Sequence, residues 1–147
     1  MTTKIGRCIF VGASIEKIYD LLLDAKQMPD WFVGIQKLEL SDDFPYAGGT
    51  ARITFRHQDV ILQFTMTGVE LVNGEYGVFE LSGDLIGTQR WTTKPERGGY
   101  RLYIDYEYDL PVSGLTKFVE RITRETLTQS LANFKHLLEK EYVSAFH

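Results

Sequence analysis

Residues 100–142 read YRLYIDYEYDLPVSGLTKFVERITRETLTQSLANFKHLLEKEY, and they indicate the architecture of the chain. From Tyr100 to Leu110 every second residue is apolar or aromatic and most residues between are polar, which predicts a half-buried strand. Pro111 ends the strand. Residues 113–142 contain no proline and carry oppositely charged pairs at i,i+4 spacing, which predicts one helix. A helix of this length spans roughly 45 Å. It must therefore lie across a sheet to bury its apolar side.

The chain before residue 100 predicts the rest of that sheet and two short helices. Ser14 is a natural N-cap for a helix that begins at Ile15, and Pro29 suits the first turn of a second helix. Asn73-Gly74 predicts a hairpin with a two-residue type I′ turn, and hairpin connections imply antiparallel strands. We therefore predict an α+β fold in one domain, residues 1–147: a strand, two helices, six strands and a long helix. The earlier strands are predicted at 4–12, 35–40, 51–56, 60–72, 75–83 and 87–94.

The composition narrows the class of protein before any motif is considered. The chain has 147 residues, of which 44% are hydrophobic, and its formal net charge is −4, which argues against a general nucleic-acid binder. Its one cysteine cannot form an internal disulfide. No window approaches the roughly 20 apolar residues of a membrane span, so we expect a soluble cytoplasmic protein. The 8 Tyr, 9 Phe and 2 Trp are many for a small acidic domain.

Four stretches, in this order and spacing, resemble the START-like superfamily, and within it the polyketide cyclase/dehydrase and lipid-transport group known as SRPBCC proteins. The sequence departs from the family pattern at Ile15, where a proline is usual, and at Tyr100, where a threonine is usual. Both are structural positions, so neither changes the expected fold. The stretches are VGASIEKIYDLL (11–22), MPDWF (28–32), residues 98–111, and LTQSLANFKHLL (127–138).

The resemblance implies a helix-grip fold, in which a curved antiparallel sheet of about seven strands wraps around the C-terminal helix. It also implies an internal cavity for a hydrophobic small molecule, such as a lipid, an isoprenoid quinone or a polyketide. It fixes no reaction, because this fold carries many functions. Three hypotheses remain open: a binding or transport protein, a cyclase/dehydratase-type enzyme that uses the cavity tyrosines and possibly Glu80, and a protein-interaction module like the chaperone activators or toxins. Homodimerisation through exposed aromatic residues is compatible with the last.

The inward faces of the predicted strands and of the helix supply candidate ligand-binding residues. Most are apolar or aromatic and a few carry polar tips, which is the composition of a small-molecule pocket. A buried tyrosine there bonds either to a ligand or to backbone and water. The candidates are Phe55, Phe64, Met66, Trp91, Ile104, Tyr106, Tyr108, Phe118, Ile122, Thr126, Ser130 and Phe134.

The long helix changes face partway along its length. Leu115, Phe118, Val119 and Ile122 lie on one side, and the apolar side then moves to Leu127, Leu131, Phe134 and Leu138. The first side continues through Thr126, Ser130 and Asn133. Either this polar stripe roofs a wet cavity, or the helix bends gently and the stripe meets solvent or a loop.

Glu80 is the one candidate for acid/base catalysis, and its orientation depends on the strand register. Met66 and Leu71 have opposite phases, and a bulge at Gly68 would reconcile them. Together with a two-residue Asn73-Gly74 turn, such a bulge turns Glu80 inward. Without the bulge Glu80 faces solvent, which the cost of burying an unpaired carboxylate favours. The sequence leaves open whether the protein is an enzyme.

The sequence indicates no bound metal or cofactor. His57, His136 and His147 have no metal-ligand spacing to one another or to Cys8. The alternation of Cys8 with Phe10 predicts a small core residue. The sequence has no nucleophile-elbow, phosphate-loop or dinucleotide motif.

Overall fold

Seven antiparallel strands form one curved sheet beside two short helices and one long helix in the computed structural model, which describes residues 2–111 and 114–144. The strands pair in the order β1-β7-β6-β5-β4-β3-β2. The predicted α+β class and element order are confirmed. The strands are β1 (Thr3–Val11), β2 (Ile35–Leu40), β3 (Thr50–His57), β4 (Val60–Val72), β5 (Tyr76–Gly83), β6 (Ile86–Glu96) and β7 (Gly99–Asp109). The helices are α1 (Ile15–Leu23), α2 (Met28–Trp31) and α3 (Thr116–Ser144), with a 3-10 turn at Ala25–Gln27 before α2.

Most predicted bounds agree with the structure to within two or three residues. Strand β6 continues past Pro95 to Glu96, because its ladder to β5 ends at Thr92 and the proline lies beyond that point, where β6 pairs with β7. The predicted helix start at Ser113 lies outside the described residues, as does His147. Helix α3 is described from Thr116 onward.

Local capping explains where α1 begins. The Ser14 hydroxyl accepts a hydrogen bond from the Lys17 backbone N–H at 3.3 Å, as an N-cap should. The helix then buries Ile18, Tyr19 and Leu22 at helical spacing, which fixes the chain between β1 and β2 over one end of the sheet.

Helix α3 lies against the inward face of the sheet and shares its hydrophobic core. Its C-terminal half is attached to β1, because Lys135 Nζ donates to the Phe10 carbonyl at 2.7 Å and Glu139 accepts from the Gly12 N–H at 3.3 Å. Lys135 and Glu139 also form an ion pair at 2.6 Å. At the other end Leu115, expected on the apolar side, is 56% exposed.

The β4–β5 hairpin corrects the predicted turn. Asn73, Gly74 and Glu75 form a three-residue loop, and of these only Gly74 has a positive φ, 85°. A type I′ turn needs positive φ at both of its central residues, so that prediction is wrong. The longer loop is held from outside the hairpin: the Thr93 hydroxyl donates to the Gly74 carbonyl at 3.0 Å, and the Thr93 N–H donates to the Glu75 carbonyl at 3.0 Å.

A bulge at Val69 compensates for the extra loop residue. Val72 pairs with Tyr76 next to the loop, but the register shifts between Gly68 and Glu70, so that Gly68 lies opposite Phe79. A bulge, which the sequence left open as one of two alternatives, is therefore present. It cancels the register change that the extra loop residue makes, so it does not turn Glu80 inward. Met66 lies opposite Leu81, and Glu80 points to solvent.

Cys8 is exposed rather than a core residue, which corrects the prediction from its strand. Strand β1 buries Thr3, Ile5 and Val11, so the even positions that include Cys8 lie on the outer face. The Cys8 thiol accepts a hydrogen bond from Arg101 Nη1 at 3.7 Å.

Candidate functional site

A narrow cleft opens between the inward face of the sheet and the N-terminal half of α3. The strands contribute aromatic rings to its floor, and the helix contributes two hydroxyls and an apolar side chain to its roof. Its volume is about 350 Å³ with the open mouth included, and about 20 Å³ of this can hold water, which is room for about one molecule. The lining residues are Phe32, Phe55, Leu62, Phe64, Leu85, Tyr106, Thr123, Thr126 and Leu127.

Four of the predicted site residues meet at this cleft: Phe55, Phe64, Tyr106 and Thr126. Phe118 does not line it. This side chain is half-buried on α3, with the Arg121 guanidinium carbon 5.0 Å from its ring centre. The other seven candidates are buried in the core around the cleft, and a role for them in ligand binding stays a prediction. They are Met66, Trp91, Ile104, Tyr108, Ile122, Ser130 and Phe134.

Sequence reasoning missed five of the lining residues, and only part of the signal was present. Leu62 lies two residues before Phe64 and shares its face, so strand periodicity could have included it. Leu127 belongs to the apolar side of the helix. No periodic pattern indicates the other three. Phe32 comes from the segment after α2, Leu85 from the β5–β6 turn and Thr123 from α3.

A chain of hydrogen bonds leads from the core to the cleft through three buried side chains. Trp91 Nε1 donates to Gln89 Oε1 at 3.0 Å, and Gln89 Nε2 donates to the Tyr106 hydroxyl oxygen at 2.6 Å. Gln89 is 2% exposed, although it is polar. It pairs with Tyr106 directly across the β6–β7 ladder. Burial raises the pKa of Tyr106 well above its usual value, more than the Gln89 hydrogen bond lowers it, so the phenol is neutral at physiological pH.

The neighbouring inward tyrosine is satisfied within the protein. The Tyr108 hydroxyl donates to Thr123 Oγ1 at 3.5 Å, and Thr123 donates to the Val119 carbonyl at 2.7 Å. Burial also raises the pKa of Tyr108. Here the Thr123 hydroxyl oxygen accepts the hydrogen bond from the phenol, and a partner within the protein is the more common arrangement for a buried hydroxyl.

The polar stripe on α3 serves mainly to hold a loop. Ser130 Oγ accepts from the Val33 N–H at 2.9 Å, and Asn133 Nδ2 donates to the Trp31 carbonyl at 3.3 Å. These bonds attach the segment after α2, which carries Phe32 to the cleft. Of the stripe only Thr126 lines the cleft, and its hydroxyl donates back to the Ile122 carbonyl at 2.9 Å. The alternative in which the stripe meets a loop is thus the one observed at Ser130 and Asn133.

The titratable group among the described lining residues of the cleft is the Tyr106 phenol. None of those residues carries a carboxylate or an imidazole, and Glu80 lies on the exposed face of β5. No group of three or more His, Cys, Asp or Glu residues in the described ranges is arranged to hold a metal ion. No helix within the described residues is long and apolar enough to cross a membrane.

Fold and cleft together define a helix-grip protein with a small apolar site between sheet and helix. The chain belongs to the polyketide cyclase/dehydrase and lipid transport family, whose model matches residues 2–139. A sequence search of curated proteins finds no significant match.

Solved structures share the fold at low sequence identity. The protein TTHA0849 from Thermus thermophilus is 17% identical, with a TM-score of 0.81 over 95% of this chain and 99% of that one. The Zhui aromatase/cyclase from Streptomyces sp. R1128 is 12% identical, with a TM-score of 0.81 over 97% and 96% of the two chains. A point mutant of norcoclaurine synthase from Thalictrum flavum is 17% identical, with a TM-score of 0.74 over 97% of each chain.

Proposed function

We propose that this protein binds or carries a hydrophobic small molecule in the cleft between the sheet and α3. The observation that carries this proposal is the lining: six of the nine described side chains are leucine or phenylalanine, and the polar tips belong to one tyrosine and two threonines. Such a surface favours an apolar molecule through the hydrophobic effect and offers a few groups to orient it. The family supports ligand binding in general.

A ligand must widen the cleft. Binding pockets for small molecules usually measure about 300–1,000 Å³, whereas only about 20 Å³ here admits water. Phe32 and Leu62 are half-buried at the mouth, so rotation of their side chains enlarges the cleft without moving the sheet. Residues 32 and 33 follow a four-residue helix, and Val33 is held to α3 by its hydrogen bond to Ser130, so we expect a ligand to enter on this side.

Binding or transport is favoured over a cyclase/dehydratase reaction. Such a reaction moves protons, and the described lining of the cleft supplies no carboxylate or imidazole to accept them. Tyr106 remains protonated near neutral pH because burial raises its pKa. Cytoplasmic location, the absence of nucleic-acid binding and homodimerisation stay predictions.

A fluorescence titration with N-phenyl-1-naphthylamine, an uncharged apolar probe, tests the proposal. Leu62→Trp places a larger side chain at the mouth and should weaken probe binding about fivefold or more, since overfilling a packed site costs about 1–3 kcal/mol. Ile61→Trp is the matched control, because Ile61 is the neighbouring residue of β4 and its side chain is 59% exposed. Equal binding by both variants and the wild type would contradict the proposed site, as would failure of the wild type to bind the probe.

A further inference from the structure

The direction of the hydrogen bonds that end at Tyr106 is fixed by chemistry. An indole N–H can only donate, so Trp91 requires the carboxamide oxygen of Gln89 as its acceptor. The Gln89 NH₂ group then faces Tyr106 and can only donate to it. The phenol oxygen is thus used as an acceptor, and its proton is left to be donated elsewhere.

That proton has no acceptor among the described residues. The hydrogen bond from Gln89 is the one that the Tyr106 hydroxyl makes within the described part of the chain. Tyr106 is 4% exposed and lines the cleft. A buried donor left unpaired costs about 1–3 kcal/mol. A molecule that enters the cleft and accepts a hydrogen bond from the Tyr106 hydroxyl therefore stabilises the native state.

We propose that the cleft selects apolar ligands that present a hydrogen-bond acceptor, such as a ketone or other carbonyl oxygen, to the Tyr106 hydroxyl. This inference rests on the proposed function and adds the chemical class of the ligand. Tyr106 is the specificity-determining residue. Gln89 is a positioning residue, because its NH₂ group holds the phenol oxygen and thereby orients the proton.

The neutral state of the phenol agrees with this role. Because Tyr106 keeps its proton well above neutral pH, it donates a hydrogen bond at every physiological pH and does not act as a base. The competing explanation is that one water molecule accepts the proton permanently, since the cleft has room for one. A ligand carbonyl must then displace that water, and the two explanations differ in a binding measurement.

Two small planar probes separate these explanations. Acetophenone and α-methylstyrene have nearly the same shape, but the first carries a carbonyl oxygen where the second carries a CH₂ group. Their dissociation constants are measured by following the amide NMR signals of cleft residues, for the wild type and for Tyr106→Phe. The quantity compared is the ratio of the two constants in each protein, which cancels the different solubilities of the probes.

We expect the preference for acetophenone to fall about 2- to 12-fold in Tyr106→Phe, which is the range for one neutral hydrogen bond. Gln89→Met keeps the Tyr106 hydroxyl but removes the NH₂ group that donates to it, so this variant should also lower the preference for acetophenone. Tyr103→Phe is the control, because Tyr103 is on the same strand but on the outer face, with Lys94 Nζ 5.3 Å from its ring centre. Its ratio should equal that of the wild type.

The outcomes separate the inference from the proposed function. If both probes bind and the ratio is the same in the wild type and Tyr106→Phe, the carbonyl preference is refuted and hydrophobic binding stands. If neither probe binds, both are refuted. The infrared stretch of carbonyl-¹³C acetophenone bound to the wild type gives a result that needs no variant. A frequency below that in an apolar solvent supports the inference, and an unchanged frequency overturns it.

Discussion

Replacing Ser130 with alanine tests whether the polar stripe on α3 attaches the mouth of the cleft to the helix. The Ser130 side chain is fully buried, accepts from the Val33 N–H at 2.9 Å and donates to the Thr126 carbonyl at 2.6 Å. The Thr126 carbonyl is part of α3 itself. The Val33 N–H lies outside the helix, and it has no other hydrogen-bond acceptor among the described residues. The substitution therefore leaves one backbone donor of the loop unpaired.

The expected loss follows from that single donor. An unsatisfied N–H costs about 1–3 kcal/mol when it is buried. Val33 is half-buried, so the lower part of that range, about 1–2 kcal/mol, applies, and the better helix propensity of alanine returns about 0.5 kcal/mol. The free energy of unfolding should therefore fall by about 0.5–1.5 kcal/mol. For a domain of this size that is a decrease in Tm of about 1–6 °C.

The assay is urea unfolding, with amide hydrogen exchange of Val33 as the local measurement. Thr126→Val is the matched control, since the Thr126 hydroxyl donates only to carbonyls of its own helix, Ile122 at 2.9 Å and Thr123 at 3.3 Å. It should change stability by less than about 0.5 kcal/mol. The reasoning is refuted if Ser130→Ala is no less stable than Thr126→Val and its Val33 amide exchanges at the wild-type rate.

Three further predictions concern the helix attachment, the cleft and the sheet. Burial raises the pKa of Glu139, but the Lys135 ammonium and the Gly12 N–H lower it further, so its net pKa lies below the usual value. The contact thus stabilises the fold at pH values above the unfolded pKa of about 4.3, and this stabilisation is lost as the pH falls through the folded pKa. In Glu139→Gln the midpoint of urea unfolding should therefore change less with pH in that range. Phe55→Ala should cost about 3–5 kcal/mol and increase uptake of N-phenyl-1-naphthylamine, because it enlarges the cleft. Gly87→Ala should destabilise by about 1–3 kcal/mol or more, measured by thermal unfolding, because its Cβ would lie 1.9 Å from the Glu107 carbonyl oxygen on β7.

The register of the β4–β5 hairpin shows how local signals can be correct in part. The sequence predicts a turn at Asn73-Gly74 and allows a bulge near Gly68, and both features exist. The loop is one residue longer than the dipeptide suggests, and Thr93 of β6 bonds to two of its carbonyls. This contact joins residues about 19 positions apart, so no local pattern contains it.

The candidate site was predictable where one side of a strand or helix faces inward. Phe55, Phe64, Tyr106 and Thr126 were found because periodicity identifies the buried face of each element. Periodicity does not distinguish the part of that face that meets the cleft from the part that fills the core. Leu85 and Phe32 reach the cleft from outside regular elements, where the period has no meaning.

The order of the elements, the Ser14 cap of α1 and most of the inward faces follow from the sequence, because they depend on side-chain spacing and on interactions between near neighbours. The narrow width of the cleft, the attachment of the segment after α2 to Ser130 and the register that leaves Glu80 exposed follow from tertiary packing. This packing also brought Trp91, Gln89 and Tyr106 into one hydrogen-bonded chain. Each of these depends on atoms from distant segments, whose relative positions are fixed only when the sheet and α3 pack together.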